Sequence, residues 1–179
     1  IKDYKKMISM DLKEVDNLVL IIGKTEGHID QSLFARTILD EKNGPPPEVN
    51  LFNEKNNGES ILNLIDKGYV KSAHDISLGG LLVAISKMCI KGNKGIKINK
   101  SKNLINEIEY FFAEDQGRYL IEVNKKDLKE VTKILNKNSV HHEELGIITQ
   151  NDMIINEKTK VTIDELKSYY TNWLSKYMS

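Results

Sequence analysis

The sequence predicts an α/β (α+β) domain, a mixed β-sheet covered by helices, and three observations predict it. Short apolar runs closed by glycine or turn residues alternate with stretches whose apolar residues recur every three or four positions. The 179 residues, 40% of them hydrophobic, suffice for one domain, or a domain with an added hairpin, that has its own core. Several short strands crowd together after position 140, which suggests an antiparallel edge to the sheet.

Asn17 to Ile22 (NLVLII) is a continuous apolar run closed by Gly23, the pattern of a strand buried on both faces. The loop Gly23 to Gln31 leads to a short helical stretch from Ser32 to Leu39, with Ser32 as its N-cap. The segment EKNGPPPEVN holds three consecutive prolines, which lack an N–H and fix φ, so it reads as an extended, rigid connector. Leu51 to Lys67 reads as a helix whose second half is apolar at Ile61, Leu62, Leu64 and Ile65, with Gly68 placed to close it in the left-handed conformation. A strand beginning at Tyr69 (YVKSA) passes through HDISLGG into a helix from Leu81 to Ile90. Leu78, Leu81, Leu82, Ile85, Met88 and Cys89 mark the apolar face of that helix.

Gly95 to Ile98 predicts a strand, Lys102 to Glu109 a helix, and Tyr119 to Val123 (YLIEV) an alternating strand. Asn124 can cap a helix bearing Leu128, Val131, Ile134 and Leu135. Short strands are expected at Leu145 to Thr149, Met153 to Asn156 and Lys160 to Thr162, with turns at Asn151-Asp152 and Glu157-Lys158. Thr162 and Glu165 form a capping box for a last helix, which carries Leu166, Tyr170, Trp173 and Tyr177 on one face.

Composition narrows the function. Twenty-six basic residues balance 26 acidic ones, so no broad field draws the chain to nucleic acid or anionic lipid, and neither is an expected partner. The longest apolar runs, such as LVLII, fall far short of the roughly 20 residues that span a bilayer. Cys89, the single cysteine, sits in the apolar run LLVAISKMCI, which favours a buried inert thiol and a cytoplasmic protein. The opening IKDYKKMISMDLKEVDN is a polar lead-in without the apolar region of a targeting peptide. Arg36 and Arg118 are the two arginines, each at a place where a rigid fork of donors matters more than charge alone.

Two constellations can carry chemistry. Ser72-Ala73-His74-Asp75-Ile76-Ser77-Leu78-Gly79-Gly80-Leu81 lies where a strand end turns into a helix, a place where strand ends present side chains and a helix start presents unpaired N–H groups to an anion. Ser77 can cap that helix, and Gly79-Gly80 leaves its first turn bare, so a phosphate or another backbone can approach. The alternative is a capped helix whose glycines admit a neighbouring strand, with His74 and Asp75 as a structural pair. Phe111-Phe112-Ala113-Glu114-Asp115-Gln116-Gly117-Arg118-Tyr119 is a polar turn between an aromatic anchor and a strand. Glu114 and Gln116 suit ribose hydroxyls or amides and Arg118 suits a carboxylate or phosphate, unless Arg118 instead pairs with Glu114 or Asp115. The loop Thr25 to Ser32 lines a cleft or the surface. His141-His142-Glu143-Glu144 has neither helical His spacing nor cysteine company, which disfavours zinc.

HDISLGGL and FFAEDQGRY, in this order and spacing, resemble the C-terminal half of the aminoimidazole-ribonucleotide-synthase superfamily, and within it the phosphoribosylformylglycinamidine synthase family. Gly23-Lys24-Thr25, GPPPEV, KSAHD, LGIIT and the closing helix with Trp173 and Met178 extend the resemblance over nearly the whole chain. The chain departs from the family at Asp30-Gln31, where Gly-Gly is usual, and at Leu78, where an acid is common. The resemblance implies an ATP- and Mg-dependent ligase of purine synthesis. It would convert formylglycinamide ribonucleotide and glutamine-derived ammonia to the amidine, with ATP activating the amide oxygen and ammonia displacing phosphate. It implies residues 1–16 as a lead-in from a preceding domain and 17–179 as the domain proper, with further N-terminal domains and a glutaminase as partners. The family's histidine base, magnesium carboxylates and most ATP contacts belong to those N-terminal domains, so no catalytic residue or certain cofactor falls here. In the family's first domain copy a Glu-Ser-Gln tripeptide touches the ribonucleotide. Glu114-Asp115-Gln116 matches it in what looks like the second copy, facing a cleft that is an auxiliary nucleotide site in some members and structural in others. The candidate nucleotide or phosphate residues are therefore His74, Asp75, Ser77, Gly79, Gly80, Glu114, Asp115, Gln116 and Arg118. Aminoimidazole ribonucleotide synthase and a non-catalytic scaffold or auxiliary nucleotide-binding module are the alternative readings.

Overall fold

Five consecutive apolar side chains can all be buried only if both faces of their strand are covered, and that requirement organises the domain. In the computed structural model, which describes residues 3–98 and 106–178, β1 (Leu18–Ile22) is buried along its whole length. It runs antiparallel to both neighbours, β4 (Tyr119–Val123) and β5 (His142–Thr149). The sheet is completed by β2 (Val70–Asp75), β3 (Gly95–Ile98), β6 (Asp152–Ile155) and β7 (Thr159–Thr162), in the seven-stranded order β2-β4-β1-β5-β3-β6-β7. It is mixed, as expected: β3 and β6 pair in parallel, and the β6–β7 hairpin forms the antiparallel edge after position 140.

Alternation along β1 feeds two cores. Val19 and Ile21 point to one face, where Leu81, Ile85, Met88 and Cys89 of α3 (Gly80–Gly92) and Tyr110 and Phe111 of α4 (Glu107–Phe112) cover them. Leu18, Leu20 and Ile22 point to the other, against Ile61 and Leu64 of α2 (Leu51–Asp66) and Val131 and Leu135 of α5 (Leu128–Lys137). Burying each such side chain is worth roughly 1.5–3 kcal/mol, so the two layers dominate stability. Cys89 lies in the first layer, and burial pushes its thiol up to about 12, which leaves it protonated and inert at neutral pH.

Helix ends follow local chemistry. The Ser32 hydroxyl accepts from the Ala35 N–H at 3.1 Å and starts α1 (Leu33–Ile38), while the Asn50 side chain accepts from the Asn53 N–H at 3.0 Å and starts α2. Gly68, at φ +77°, closes α2 as expected. The capping box stands at the head of α6 (Ile163–Met178): the Glu165 N–H donates to the Thr162 hydroxyl, and the Thr162 N–H donates back to the Glu165 carboxylate. Some boundaries differ from expectation. β2 begins at Val70 and runs on through His74 and Asp75, which are therefore strand residues rather than loop. Asn124 caps a 3-10 turn, Lys125–Asp127, that feeds α5. α4 starts at Glu107 behind Asn106, and the expected helical residues 102–105 lie outside the described residues.

The polar lead-in is fastened to the sheet. Leu12 is buried in the first core, and its N–H donates to the Met88 carbonyl at 3.3 Å. Glu122, buried on β4, receives four donors: the Lys13 and Glu14 N–H groups at 2.8 and 3.1 Å, the Asn17 amide at 2.7 Å and the Ser72 hydroxyl at 2.9 Å. A buried carboxylate without a cation is stable only when its oxygens are saturated this way. Among the described residues no helix is long and apolar enough to cross a membrane. Glu122→Ala strands several of these donors and is expected to destabilise the chain by about 3 kcal/mol, read as a lower urea midpoint at unchanged slope. A change under about 0.5 kcal/mol would contradict the clasp.

Candidate functional site

A cleft of about 640 Å³ opens beside the end of β1. Its walls are the loop after β1, the proline connector at Pro47 and Glu48, the first turns of α2 at Asn50, Asn53, Glu54 and Asn57, and the turn at Asp115, Gln116 and Gly117. This lining follows from α2 itself: its apolar second half is needed by the core, so its polar first half is left to face solvent.

The turn before β4 is held by two carboxylates. Asp115, buried, accepts from three successive backbone N–H groups, those of Glu26 at 3.0 Å, Gly27 at 3.2 Å and His28 at 3.0 Å. Consecutive N–H groups converging in this way form an anion nest, and here the anion is the chain's own side chain. Glu114 accepts from the Leu33 N–H at 2.7 Å, at the start of α1, and from the Gly79 N–H at 2.8 Å, just ahead of α3. The helix starts where an external phosphate would gain most are thus partnered from inside.

Arg118 lies beneath the turn with its side chain fully buried. Its guanidinium donates to the Ala113 carbonyl at 2.6 Å and the Thr25 hydroxyl at 3.1 Å, and stands 3.7 Å from the Asp115 carboxylate. Burial draws its pKa below the ordinary arginine value, and Asp115 opposes that shift. The expectation that Arg118 grips a ligand is corrected: the fork is spent on the protein, in the ion-paired arrangement that was the other reading. Gln116 is the one member of Glu114-Asp115-Gln116 with an exposed side chain, and it borders the cleft.

The second constellation lies elsewhere and does not line this cleft. His74 and Asp75 form a pair on the edge strand β2, Nδ1 to Oδ1 at 3.2 Å; burial pulls the His74 imidazole below its usual value, with Asp75 acting against it. Ser77 does not cap α3. The N-cap is Gly79, without a side-chain cap, and the Ser77 carbonyl accepts from the Gly80 N–H at 2.9 Å. Gly79 and Gly80 have φ of +89° and +71°. A Cβ on Gly80 would stand 2.7 Å from the Phe112 carbonyl carbon and the Ala113 oxygen, so another backbone fills the space beside Gly80, while the Val83 side chain, 2.6 Å from a Cβ on Gly79, fills the space beside Gly79. What joins the two motifs is Glu114, which reaches from one to the other.

Two contributions go beyond the sequence reading. The loop read as lining a cleft or the surface does border the cleft, and its Glu26, Gly27 and His28 N–H groups also supply the nest, with Gly27 at φ +90°. The asparagines of α2 were read only as helix, although Asn57 is buried and donates to the Gly117 carbonyl at 2.9 Å. His141 borders the cleft, whereas His142 and Glu143 are drawn into β5.

Residues 14–156 match the family described as AIR synthase related protein, C-terminal domain. The chain is 65% identical over 178 residues to phosphoribosylformylglycinamidine synthase subunit PurL of Pelagibacter ubique, and 35% identical over 176 residues to PurL of Bartonella henselae. These alignments cover 99% and 98% of the chain but 24% of each relative, so the chain spans about a quarter of their length. T. maritima PurL complexed with FGAR superposes with a TM-score of 0.73 at 19% identity, covering 91% of this chain and 30% of that one. Hydrogenase maturation protein HypE in complex with ATP superposes at 0.59 and 12% identity, covering 90% of this chain and 54% of that one. At such identities the superpositions establish the shared fold.

Gly80→Ala combines a positive φ with contact against backbone, so the denaturant midpoint is expected to fall, by roughly 1–3 kcal/mol in stability. A midpoint that rises would show that the helix start has free space.

Proposed function

Because the chain belongs to the AIR synthase related protein family, through its C-terminal domain, we propose that it is the C-terminal domain of a phosphoribosylformylglycinamidine synthase, subunit PurL. The observation that carries this reading is the 65% identity to one PurL across 178 residues, a span too long to rest on a shared motif. In this reading the whole enzyme converts formylglycinamide ribonucleotide, ATP and ammonia to formylglycinamidine ribonucleotide, ADP and phosphate. ATP activates the amide oxygen, and ammonia from a glutaminase partner displaces phosphate. T. maritima PurL has been seen complexed with ATP and with FGAR, and in an assembly named PurLQS, which supports a nucleotide, a ribonucleotide and partner subunits. Aminoimidazole ribonucleotide synthase is the weaker reading, since the relatives aligned over nearly the whole chain are PurL subunits.

Within that enzyme the domain completes the fold and forms one wall of a cleft. Asp115, Gln116 and Gly117 line the wall, Glu114 and Arg118 hold the turn that carries them, and His74 and Asp75 stiffen the sheet edge. Residues 1–16 lead in from the preceding domain, held by Leu12 and by the Glu122 clasp. Magnesium binds hard oxygen ligands and keeps near-ideal octahedral geometry. The residues described here do not fit it: no cluster of three or more His, Cys, Asp or Glu is placed to hold a metal, and the two carboxylates of the turn are saturated by N–H groups. In this reading magnesium and the catalytic ATP are held by the parts of the PurL polypeptide that lie outside this chain. A cytoplasmic enzyme of this kind agrees with the single buried thiol.

The test is a chimera in which this chain replaces the aligned quarter of Pelagibacter ubique PurL. Phosphate release dependent on the ribonucleotide and ammonia is expected to stay within roughly threefold of the parent, under about 1 kcal/mol in barrier. The isolated chain is expected to release none above background. A folded but inactive chimera would contradict the reading, as would turnover by the isolated chain that is lost on mutating one of its residues.

A further inference from the structure

Among the described residues, helix α6 is anchored by its first turns, where Ile163 is 4% exposed and Leu166 packs against the first core. At 100° per residue, Tyr170, Trp173 and Tyr177 continue the face that Ile163 and Leu166 begin, and there they are uncovered, at 50%, 61% and 80% exposure. Trp173 and Tyr177 lie with ring centroids 6.3 Å apart, and Met178 extends the bare end of the helix. One apolar stripe, buried at one end and bare at the other, is the surface of a helix that docks two bodies of which one is present. Tryptophan and tyrosine are the side chains that interface cores favour, since they bury a large ring and keep a polar handle.

Two observations identify the second body. The family match stops at residue 156, ahead of α6, yet the alignments with PurL relatives, 178 and 176 residues long, are too long to leave α6 out. The helix is thus shared with these two PurL polypeptides and is additional to the family domain. About three quarters of those polypeptides lie outside the span of this chain, which covers 24% of them. We propose that the aromatic face of α6, centred on Trp173 and Tyr177, docks onto the part of the same PurL polypeptide outside this chain. The occupant presents an apolar patch with hydrogen-bond acceptors at its rim for the indole N–H and the tyrosine hydroxyls. This rests on the PurL reading above.

Hydrogen exchange of the intact PurL polypeptide carrying this chain, without glutaminase or ligands, tests the proposal. Backbone amides of residues 170–178 are expected to exchange at least about tenfold more slowly than in a Trp173→Lys, Tyr177→Lys double variant, at every protein concentration. Asn172→Lys, on the opposite, exposed face of the helix, is expected to leave the protection in place. Fast exchange in the unsubstituted polypeptide overturns the proposal, as does slow exchange that the double variant leaves unchanged. Protection that arises only on adding the glutaminase overturns it in favour of a partner subunit. Protection that grows with concentration overturns it in favour of a second copy. An active chimera with unprotected α6 rejects the docking and keeps the PurL reading; an inactive, folded chimera rejects the reading itself.

Discussion

The Asp115 carboxylate, met by three consecutive backbone N–H groups, is the constraint on which the candidate site depends. It latches the loop after β1 to the turn before β4, two adjacent interior strands of the sheet. Arg118 sits below and neutralises it, while Glu114 beside it carries the same logic to the starts of α1 and α3. Each group is satisfied by another part of the chain, so the turn is a closed network rather than a set of waiting ligands. Closed networks of this kind gain rigidity because every buried polar group has its partner.

That closure explains how a pattern suited to binding serves structure. A helix start and a glycine-bearing loop are ready anion sites, and a protein that needs neither must fill them or leave N–H groups unsatisfied. Here two side chains four to five positions ahead of β4 fill them. The cleft that remains is polar, bordered by Gln116 and the asparagine-rich face of α2, and its shape is set by the latch. This fits the role proposed for the domain, a wall of fixed geometry.

Most of the fold was legible because its signals are local. The LVLII run is buried on both faces, Gly68 ends α2, Ser32 caps α1, and Thr162 with Glu165 opens α6, each decided within a few residues. The site was legible only as a set of candidates. Ser77 has every local qualification for a cap, yet Glu114, 35 positions beyond Gly79, partners the Gly79 N–H instead. Whether Arg118 meets a ligand or a carboxylate depends on which side of the sheet it faces and how deeply it lies, and neither is written in the turn. The same holds for Leu12, in a polar lead-in, whose side chain is buried in the first core while its N–H donates to the Met88 carbonyl of α3. The stripe on α6 was visible as periodicity, but periodicity does not say that its second half is uncovered.

The central claim is that the anion-binding N–H groups of this domain are filled by its own carboxylates, and it is tested most directly by following amide NMR shifts during titration with ADP. The account predicts no saturable shift at the amides of Glu26, Gly27, His28 and Gly79, since Asp115 and Glu114 already occupy them. A saturable shift at these four amides would mean that phosphate displaces the carboxylates, and would contradict the account.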